Sequence, residues 1–156
     1  HREMLAYWRD RKGDSAVPLR SRFDPLDFPA LLPRIAVIEV IEADEKVRFR
    51  YRLAGTEIAA RAGRDPTGKF FEDLYEGSYL QSADSTYADL IKSALPHYSQ
   101  RVFPIGNGVS NLRYDRLILP FSSDGTKVDQ FVLLIVVIEQ TGTPVQKGSF
   151  RTYGTT

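Results

Sequence analysis

An unbroken run of eight apolar residues near the end of the chain, FVLLIVVI at positions 131–138, constrains the fold more than any other feature. The run is far shorter than the ~20 apolar residues that a membrane-spanning helix needs. Its β-branched content favours a strand, and a strand that is apolar at every position is buried on both faces. We therefore expect a sheet that is covered on each side.

Four further segments have the pattern of strands, and turn signals join them. IAVIEVIE (35–42) and VRFRYRL (47–53) flank the turn-like ADEK and predict an antiparallel hairpin. Later in the chain, HYSQRVFPI, NLRYDRLILPF and VDQFVLLIVVIE predict three consecutive strands, separated by the turn signals GNGVS and SSDGTK. The sequence therefore predicts five antiparallel strands.

The second strand alternates arginine with apolar residues, which predicts its two faces. The alternation places two sets of residues on opposite sides, with Phe49, Tyr51 and Leu53 on one and Arg48, Arg50 and Arg52 on the other. Like charges on one strand face repel each other unless carboxylates pair with them or solvent screens them. We therefore interpret the arginine row as structural, with Glu39 on the neighbouring strand as a partner.

Helical patterns occupy the space between the second and third strands. TEIAARAG makes about two turns and ends at Gly63, KFFEDLY is a second short piece, and SYLQSADSTYADLIKSAL (78–95) is the longest helix before Pro96 stops it. Two strands, three helices and three strands predict an α+β fold in which the inserted helices cover one face of a five-stranded antiparallel sheet.

The region before the sheet divides into a helix and a linker. REMLAYWRDRKG has the spacing of an amphipathic helix within residues 1–13, and four prolines mark residues 14–34 as an extended linker with at most one helical turn. Residues 35–140 then form the sheet domain, and residues 141–156 are a polar tail.

The apolar stripe of this first helix consists of Met4, Leu5 and Trp8. The linker is long enough to carry it back over the open face of the sheet, either in its own chain or in a second copy. We favour a homodimer in which Leu5 and Trp8 lie at the interface.

The central stretch RLAGTEIAARAGRDPTGKFFEDL, with Gly68 at its turn, and the closing hairpin SSDGTKVDQFVLLIVVIE resemble the PAS domain. Together with YW near the start, LLPRIAVIEV and YDRLILPFSSDG, they are similar in particular to a family of stand-alone PAS domains found in alphaproteobacteria. The resemblance covers roughly Tyr7 to Glu139. It implies a PAS-like sheet and a sensory or interaction module, and it names no ligand.

The chain contains no cysteine, which excludes disulfides, thiolate nucleophiles, zinc ribbons and iron–sulfur ligation. A PAS photosensor of the light-oxygen-voltage type needs a cysteine that bonds to its flavin. A haem-binding PAS domain commonly uses a histidine on the long helix, whereas residues 78–95 contain none and His97 lies beyond Pro96. We therefore predict neither flavin, haem nor metal.

Aromatic residues are concentrated on the elements that would surround a cavity, namely Tyr51, Phe70, Phe71, Tyr75, Tyr79, Tyr87, Tyr98 and Tyr114. A tyrosine hydroxyl can orient a small ligand in an apolar pocket, although such residues also serve as core or rim. Arg101 or Arg116 could clamp a carboxylate or phosphate, and the alternative for each is a solvated or ion-paired arginine. Our candidate cavity residues are Tyr51, Phe71, Tyr87, Ile91, Arg101, Tyr114 and Leu119.

The charges nearly balance, with 21 Lys+Arg against 20 Asp+Glu, so no overall field attracts nucleic acid or a membrane surface. No signal segment opens the chain, which predicts a cytoplasmic protein, and the absence of an initiator Met before His1 leads us to expect a natural start further upstream. No kinase, cyclase or DNA-binding segment follows, so output is expected from partners or from another domain.

These observations favour a sensory, PAS-like module that binds a small ligand or an unknown signalling protein and acts through association. One alternative is a dimerisation or interaction domain without a ligand. A third is a small isomerase or lyase of cone-shaped α+β fold, with a carboxylate base beside a tyrosine, for which Asp73, Asp84 and Asp89 are available. The strand-first order of this chain disagrees with the helix-first order of that fold.

Overall fold

The computed structural model describes residues 1–105 and 110–141, and these ranges contain five strands and four α-helices. The strands are β1 (Ile35–Ala43), β2 (Lys46–Ala54), β3 (His97–Ile105), β4 (Ser110–Phe121) and β5 (Gln130–Thr141). The helices are α1 (Arg2–Lys12), α2 (Thr56–Ala62), α3 (Phe71–Leu74) and α4 (Gly77–Ser93). The predicted α+β fold is confirmed, and the expected tail lies outside the described residues except for Thr141, which belongs to β5.

The five strands form one antiparallel sheet in the order β2-β1-β5-β4-β3. The apolar run of β5 therefore lies at the centre, where the four residues from Phe131 to Leu134 are buried. The run is not buried to its end, because Ile138 is 53% exposed. Burial of consecutive residues on a strand requires a cover on both faces, as the sequence predicted.

The helices α2, α3 and α4, which we call the helical cover, pack on the face of the sheet that carries Phe49, Ile118 and Phe131. We call this the helix-side face. Phe71 from α3 and Tyr87 from α4 fill the space above it, with ring centroids 5.2 Å apart. This aromatic core joins the cover to the sheet.

The other face of the sheet is covered by α1 of the same chain. Met4 and Trp8 are buried against residues that include Ile35, Leu119 and Val132. The indole N–H of Trp8 donates a hydrogen bond to the carbonyl oxygen of Pro120 at 2.6 Å. The expected return of this helix over the sheet is therefore found within one chain.

The linker is more structured than the sequence predicted. Instead of at most one helical turn, it contains three short 3-10 helices, Arg20–Arg22, Pro25–Asp27 and Leu32–Arg34. Proline fixes φ near the helical value and is tolerated in the first turn of a helix. Two of the three 3-10 helices accordingly have a proline, Pro25 or Pro33, at their first or second position. Val17 and Phe28 of the linker are buried, so it forms part of the core.

The brief helix α2 is explained by contacts on either side of it. Gly55 precedes it, donates its N–H to the carbonyl oxygen of Ile35 at 2.8 Å, and lies so close to the chain that a Cβ there would meet the carbonyl oxygens of Leu32 and Pro33 at 2.4 Å. After α2 the chain returns to the outer edge of β2, opposite β1. The N–H of Gly68 donates to the carbonyl oxygen of Tyr51 at 2.7 Å, and the N–H of Tyr51 donates to that of Lys69 at 2.9 Å.

The predicted phase of β2 is correct for Phe49 and Tyr51 but wrong for Leu53. Tyr51 pairs with Ile38 whereas Leu53 pairs with the adjacent Val37, so a bulge shifts the register between them. A bulge reverses the side on which the following side chains lie. Leu53 is consequently 41% exposed, while Arg50 forms the predicted ion pair with Glu39.

Candidate ligand-binding site

Arg116 lies in the middle of β4, on the helix-side face. Its neighbours along the strand on that face are Tyr114 and Ile118, and its partners across the sheet are Ser99 on β3 and Ile135 on β5. Only 8% of the residue is exposed. An arginine in this position is unusual, because charged side chains are rarely buried unless they are paired.

Four tyrosines from three parts of the chain lie around this arginine: Tyr51 on β2, Tyr79 and Tyr87 on α4, and Tyr114 on β4. Tyr75, after α3, adjoins this group through Tyr51 and Tyr79. The hydroxyls of Tyr51 and Tyr75 are hydrogen-bonded at 2.7 Å, and the rings of Tyr75 and Tyr79 are in edge contact with centroids 4.8 Å apart. The cluster therefore joins polar hydroxyls to an aromatic wall.

The electrostatics of the cluster keep the tyrosines neutral and the arginine charged. Burial raises the pKa of the Tyr51, Tyr75, Tyr79 and Tyr87 hydroxyls. Burial acts to lower the pKa of Arg116, but its net shift is upward because the tyrosines, once ionised at high pH, would favour the charged guanidinium. The site therefore presents one buried positive charge among neutral hydroxyls.

The Nε and Nη2 atoms of Arg116 are buried and have no hydrogen-bond partner, and the same is true of the Oγ atom of Ser99 directly across the strand pair. No carboxylate in residues 1–105 and 110–141 forms an ion pair with Arg116. A buried charged donor without an acceptor costs free energy. This unmet hydrogen-bonding capacity is the feature that distinguishes the site from an ordinary core.

Two further groups on β3 face the same side of the sheet. Arg101 is half-buried opposite Tyr114, and His97 lies opposite Ile118. Burial lowers the pKa of His97, and the positive charges of Arg116 and Arg101 lower it further. At neutral pH the site therefore carries two arginine charges and a neutral imidazole.

The structure brings most of the predicted cavity residues together. Tyr51, Phe71 and Tyr87 share one buried cluster, with Ile91 packed at its border. Tyr114 and Arg101 are neighbours of the cluster on β4 and β3.

Leu119 and Trp8 need correction. Leu119 is buried against α1 on the opposite face, because the side chains of β4 alternate and both of its faces are apolar. Trp8 was predicted at a dimer interface, but its side chain is buried in its own chain and offers no surface to a second copy.

The sequence-based set omitted two residues that define the site, Ser99 and Arg116. Arg116 was considered as an anion clamp beside Arg101, and its spacing by two from Tyr114 and Ile118 was the available signal. For Ser99 there was no signal, because its role depends on the register of β3 against β4.

The carboxylates that were candidates for an isomerase base lie elsewhere. Asp73 accepts a hydrogen bond from the N–H of Phe70 at 2.9 Å and caps α3. Asp84 and Asp89 are exposed on α4. In the described ranges, no hydrogen bond joins any of the three to a tyrosine of the site.

A groove of about 470 Å³ lies on the other face of the sheet, on the α1 side. It is lined by Arg20, Ser21, Phe23, Pro25, Val37, Arg52, Leu53 and Gln130. Both arginines are exposed to solvent, so their charges are hydrated. This groove therefore lacks the unmet polar groups that mark Arg116.

Within the part of the chain that the structure describes, no group of three or more His, Asp and Glu side chains is arranged to hold a metal ion. None of the described helices is long and apolar enough to cross a membrane.

Comparison with known families identifies the family of this chain. A family model described as PAS domain matches residues 1–136, so it includes α1 and the linker together with most of the sheet. No curated protein and no solved structure shows a significant match to the chain.

Proposed function

Because the chain belongs to the PAS domain family, we propose that it is a sensory module that binds a small molecule between the sheet and the helical cover. The family is one of sensory and signalling modules. The residues that would hold the ligand are Arg116 and Ser99 on the sheet and the tyrosines of the cover, since pockets of this kind combine an apolar wall with a few convergent polar groups.

The buried Arg116 carries this proposal. A guanidinium removed from water without a carboxylate partner destabilises the folded state, and a purely structural core would gain by replacing it with an apolar side chain. A ligand that supplies the missing acceptor offsets that cost. Residues that lower stability at one place in a fold are characteristic of functional sites.

Binding would be coupled to movement of the cover. Neither Nε nor Nη2 of Arg116 is accessible to solvent, so a ligand reaches them only when a side chain of the cover shifts. A ligand that binds only the shifted arrangement increases its population. We propose that this change in the cover alters association with a signalling partner.

Native mass spectrometry of the purified protein tests the proposal. We expect wild-type protein to retain a small molecule that is absent from Arg116→Met, in which a flexible apolar side chain of similar length replaces the charge. Arg113→Met on the same strand is the matched control, because Arg113 is exposed and pairs with Glu139. The absence of a bound molecule from all three proteins would show that Arg116 is structural.

A homodimer is the second part of the proposal. On the α1 side of the sheet, Tyr98 and Val102 of β3 are large, exposed apolar residues, and Leu5 of α1 is half-buried on the same face. Exposed apolar residues that share one face commonly mark a protein–protein interface. We propose that a second copy of the chain covers them, and this surface also favours the alternative of an interaction domain that needs no ligand.

A further inference from the structure

We infer that the ligand is a small organic carboxylate whose two oxygens are held by the Nε–H and Nη2–H edge of Arg116. The inference rests on the proposed function, because it concerns the same site, and it specifies the chemistry of the molecule that the site recognises.

The two unpartnered nitrogens determine the class of ligand. Nε and Nη2 lie on the same side of the planar guanidinium, and their N–H bonds are parallel. This edge matches the two oxygens of a carboxylate, which it binds through two charge-assisted hydrogen bonds. A neutral carbonyl or ether oxygen would satisfy only one of these donors and would leave the charge uncompensated.

Ser99 adds a third donor at the same place. Its Oγ atom is buried without a partner, and its position opposite Arg116 on the adjacent antiparallel strand puts the two Cβ atoms about 5 Å apart. A carboxylate oxygen accepts more than one hydrogen bond, so the hydroxyl and the guanidinium can share it. The donors available on the sheet therefore number three, which nearly satisfies the roughly four acceptor sites of a carboxylate, whereas a phosphate monoester, with three terminal oxygens and a larger charge, would keep more of its acceptor sites unsatisfied.

The residues around Arg116 indicate the chemical character of the rest of the ligand. Tyr87 and Tyr114 provide aromatic surface, and Leu112 and Ile135 provide aliphatic surface beside it. Apolar and aromatic walls favour an apolar body behind the carboxylate over a second polar group. We therefore expect an aromatic or aliphatic acid with a single buried carboxylate.

The charge of the site agrees with an anion. Arg101 is half-buried, lies within electrostatic range of Tyr79 and Tyr87, and forms no ion pair within residues 1–105 and 110–141. A second cation beside the site raises the local concentration of anions around it. The neutral imidazole of His97 adds no charge at pH 7.

Matched pairs of acids and amides test the inference. The probes are acetate, hexanoate, benzoate, phenylacetate and indole-3-acetate, each compared with its neutral amide, together with phenyl phosphate and inorganic phosphate. Binding is measured by isothermal titration and by the shift of the unfolding midpoint. We expect at least one acid of the series to bind about 100-fold more tightly than its amide, since the amide has one acceptor oxygen instead of two and carries no charge.

Variants assign the binding to the edge of Arg116. Arg116→Met should reduce the affinity for the acid about 100-fold, and Arg116→Lys, which keeps the charge but not the parallel donors, about tenfold. Ser99→Ala should weaken binding about fivefold through loss of one neutral hydrogen bond. Arg113→Met should bind as the wild type does. Because Arg116→Lys retains a cation, it keeps the test informative if Arg116→Met folds differently.

The outcomes separate this inference from the proposed function. If a phosphate probe binds through Arg116 and no acid does, or if the retained molecule is neutral, the carboxylate inference is wrong and the proposed function stands. If no acid binds better than its amide and the purified wild type retains no molecule, both are wrong.

Discussion

Arg116 on β4 and Ser99 on β3 lie directly opposite each other, and both bury polar atoms that have no partner in the described part of the chain. Cross-strand neighbours normally satisfy each other or turn toward water. In the described ranges, Arg116 and Ser99 do neither. The stability of the ligand-free protein should reflect this arrangement.

Arg116→Met should stabilise the ligand-free protein by about 1 to 3 kcal/mol, because it removes a buried charge without breaking an ion pair. Urea unfolding of protein that has been denatured and refolded, to remove any bound molecule, measures the difference. Arg50→Met is the matched control and should lower stability, since it leaves the largely buried carboxylate of Glu39 unpaired. A loss of more than about 1 kcal/mol in Arg116→Met would contradict the argument.

Phe71→Ala should lower the free energy of unfolding by about 3 to 5 kcal/mol, because Phe71 is buried among Phe49, Tyr51, Tyr75 and Tyr87 and the substitution leaves a cavity. Tyr51→Ala should have a similar effect, as its residue is also buried. Equilibrium unfolding in urea gives both values. Equal stability of the wild type and Phe71→Ala would show that α3 does not close the core.

Trp8→Ala should lower the free energy of unfolding by about 3 to 5 kcal/mol, since it removes a buried ring and the hydrogen bond to Pro120. Trp8→Phe keeps most of the ring and should cost about 1 to 2 kcal/mol. Leu26→Ala is the control, because Leu26 is 72% exposed and should change stability little. Unchanged stability in Trp8→Ala would mean that α1 does not cover the sheet.

The stability of the protein should fall as the pH drops below the ordinary His pKa of 6.5. Burial, followed by the charges of Arg116 on β4 and Arg101 on β3, lowers the pKa of His97 in the folded state. The unfolded chain therefore takes up a proton first, and the stability present above pH 6.5 is lost as the pH falls through the folded pKa. His97→Gln should weaken this dependence between pH 7 and pH 5 in urea titrations. The same slope in the wild type and in His97→Gln would exclude His97 as its source.

Val102→Glu combined with Tyr98→Glu should convert a dimer into a monomer, because the charges prevent burial of two side chains that are more than half exposed in one chain. Light scattering over a range of concentrations measures the mass. Leu95→Glu introduces the same charge at another exposed apolar position, just after α4, and should leave the dimer intact. A wild type that is monomeric at every concentration would exclude this surface as an interface between copies.

The strands and the helical insertion could be predicted because each has a clear period. Residues 97–105 were assigned correctly to β3, since turn signals or proline bound both ends. The bulge in β2 could not be predicted, because the alternation of arginine and apolar residues continues through Arg52 while the partner strand shifts by one residue.

The candidate site was predicted only in part, for a related reason. In β4 the segment from Leu117 to Phe121 is apolar on both faces, so its period does not show which face Leu119 occupies. An arginine between apolar neighbours has the same pattern whether it faces solvent or a cover. Only the packing of α4 over the sheet buries Arg116, and that depends on contacts distant in sequence.

The pairing of residues 68–70 with β2 gives the two edges of the sheet, β2 and β3, different capacities for self-association. At the β2 edge, the backbone groups of Tyr51 are already hydrogen-bonded to Gly68 and Lys69. At the opposite edge, β3 pairs with β4 but with no further strand in the described ranges. A strand added by another molecule would meet unpaired backbone groups along β3, whereas at β2 it would first have to displace residues 68–70 from Tyr51. Edge-to-edge pairing of two copies is therefore favoured at β3 over β2.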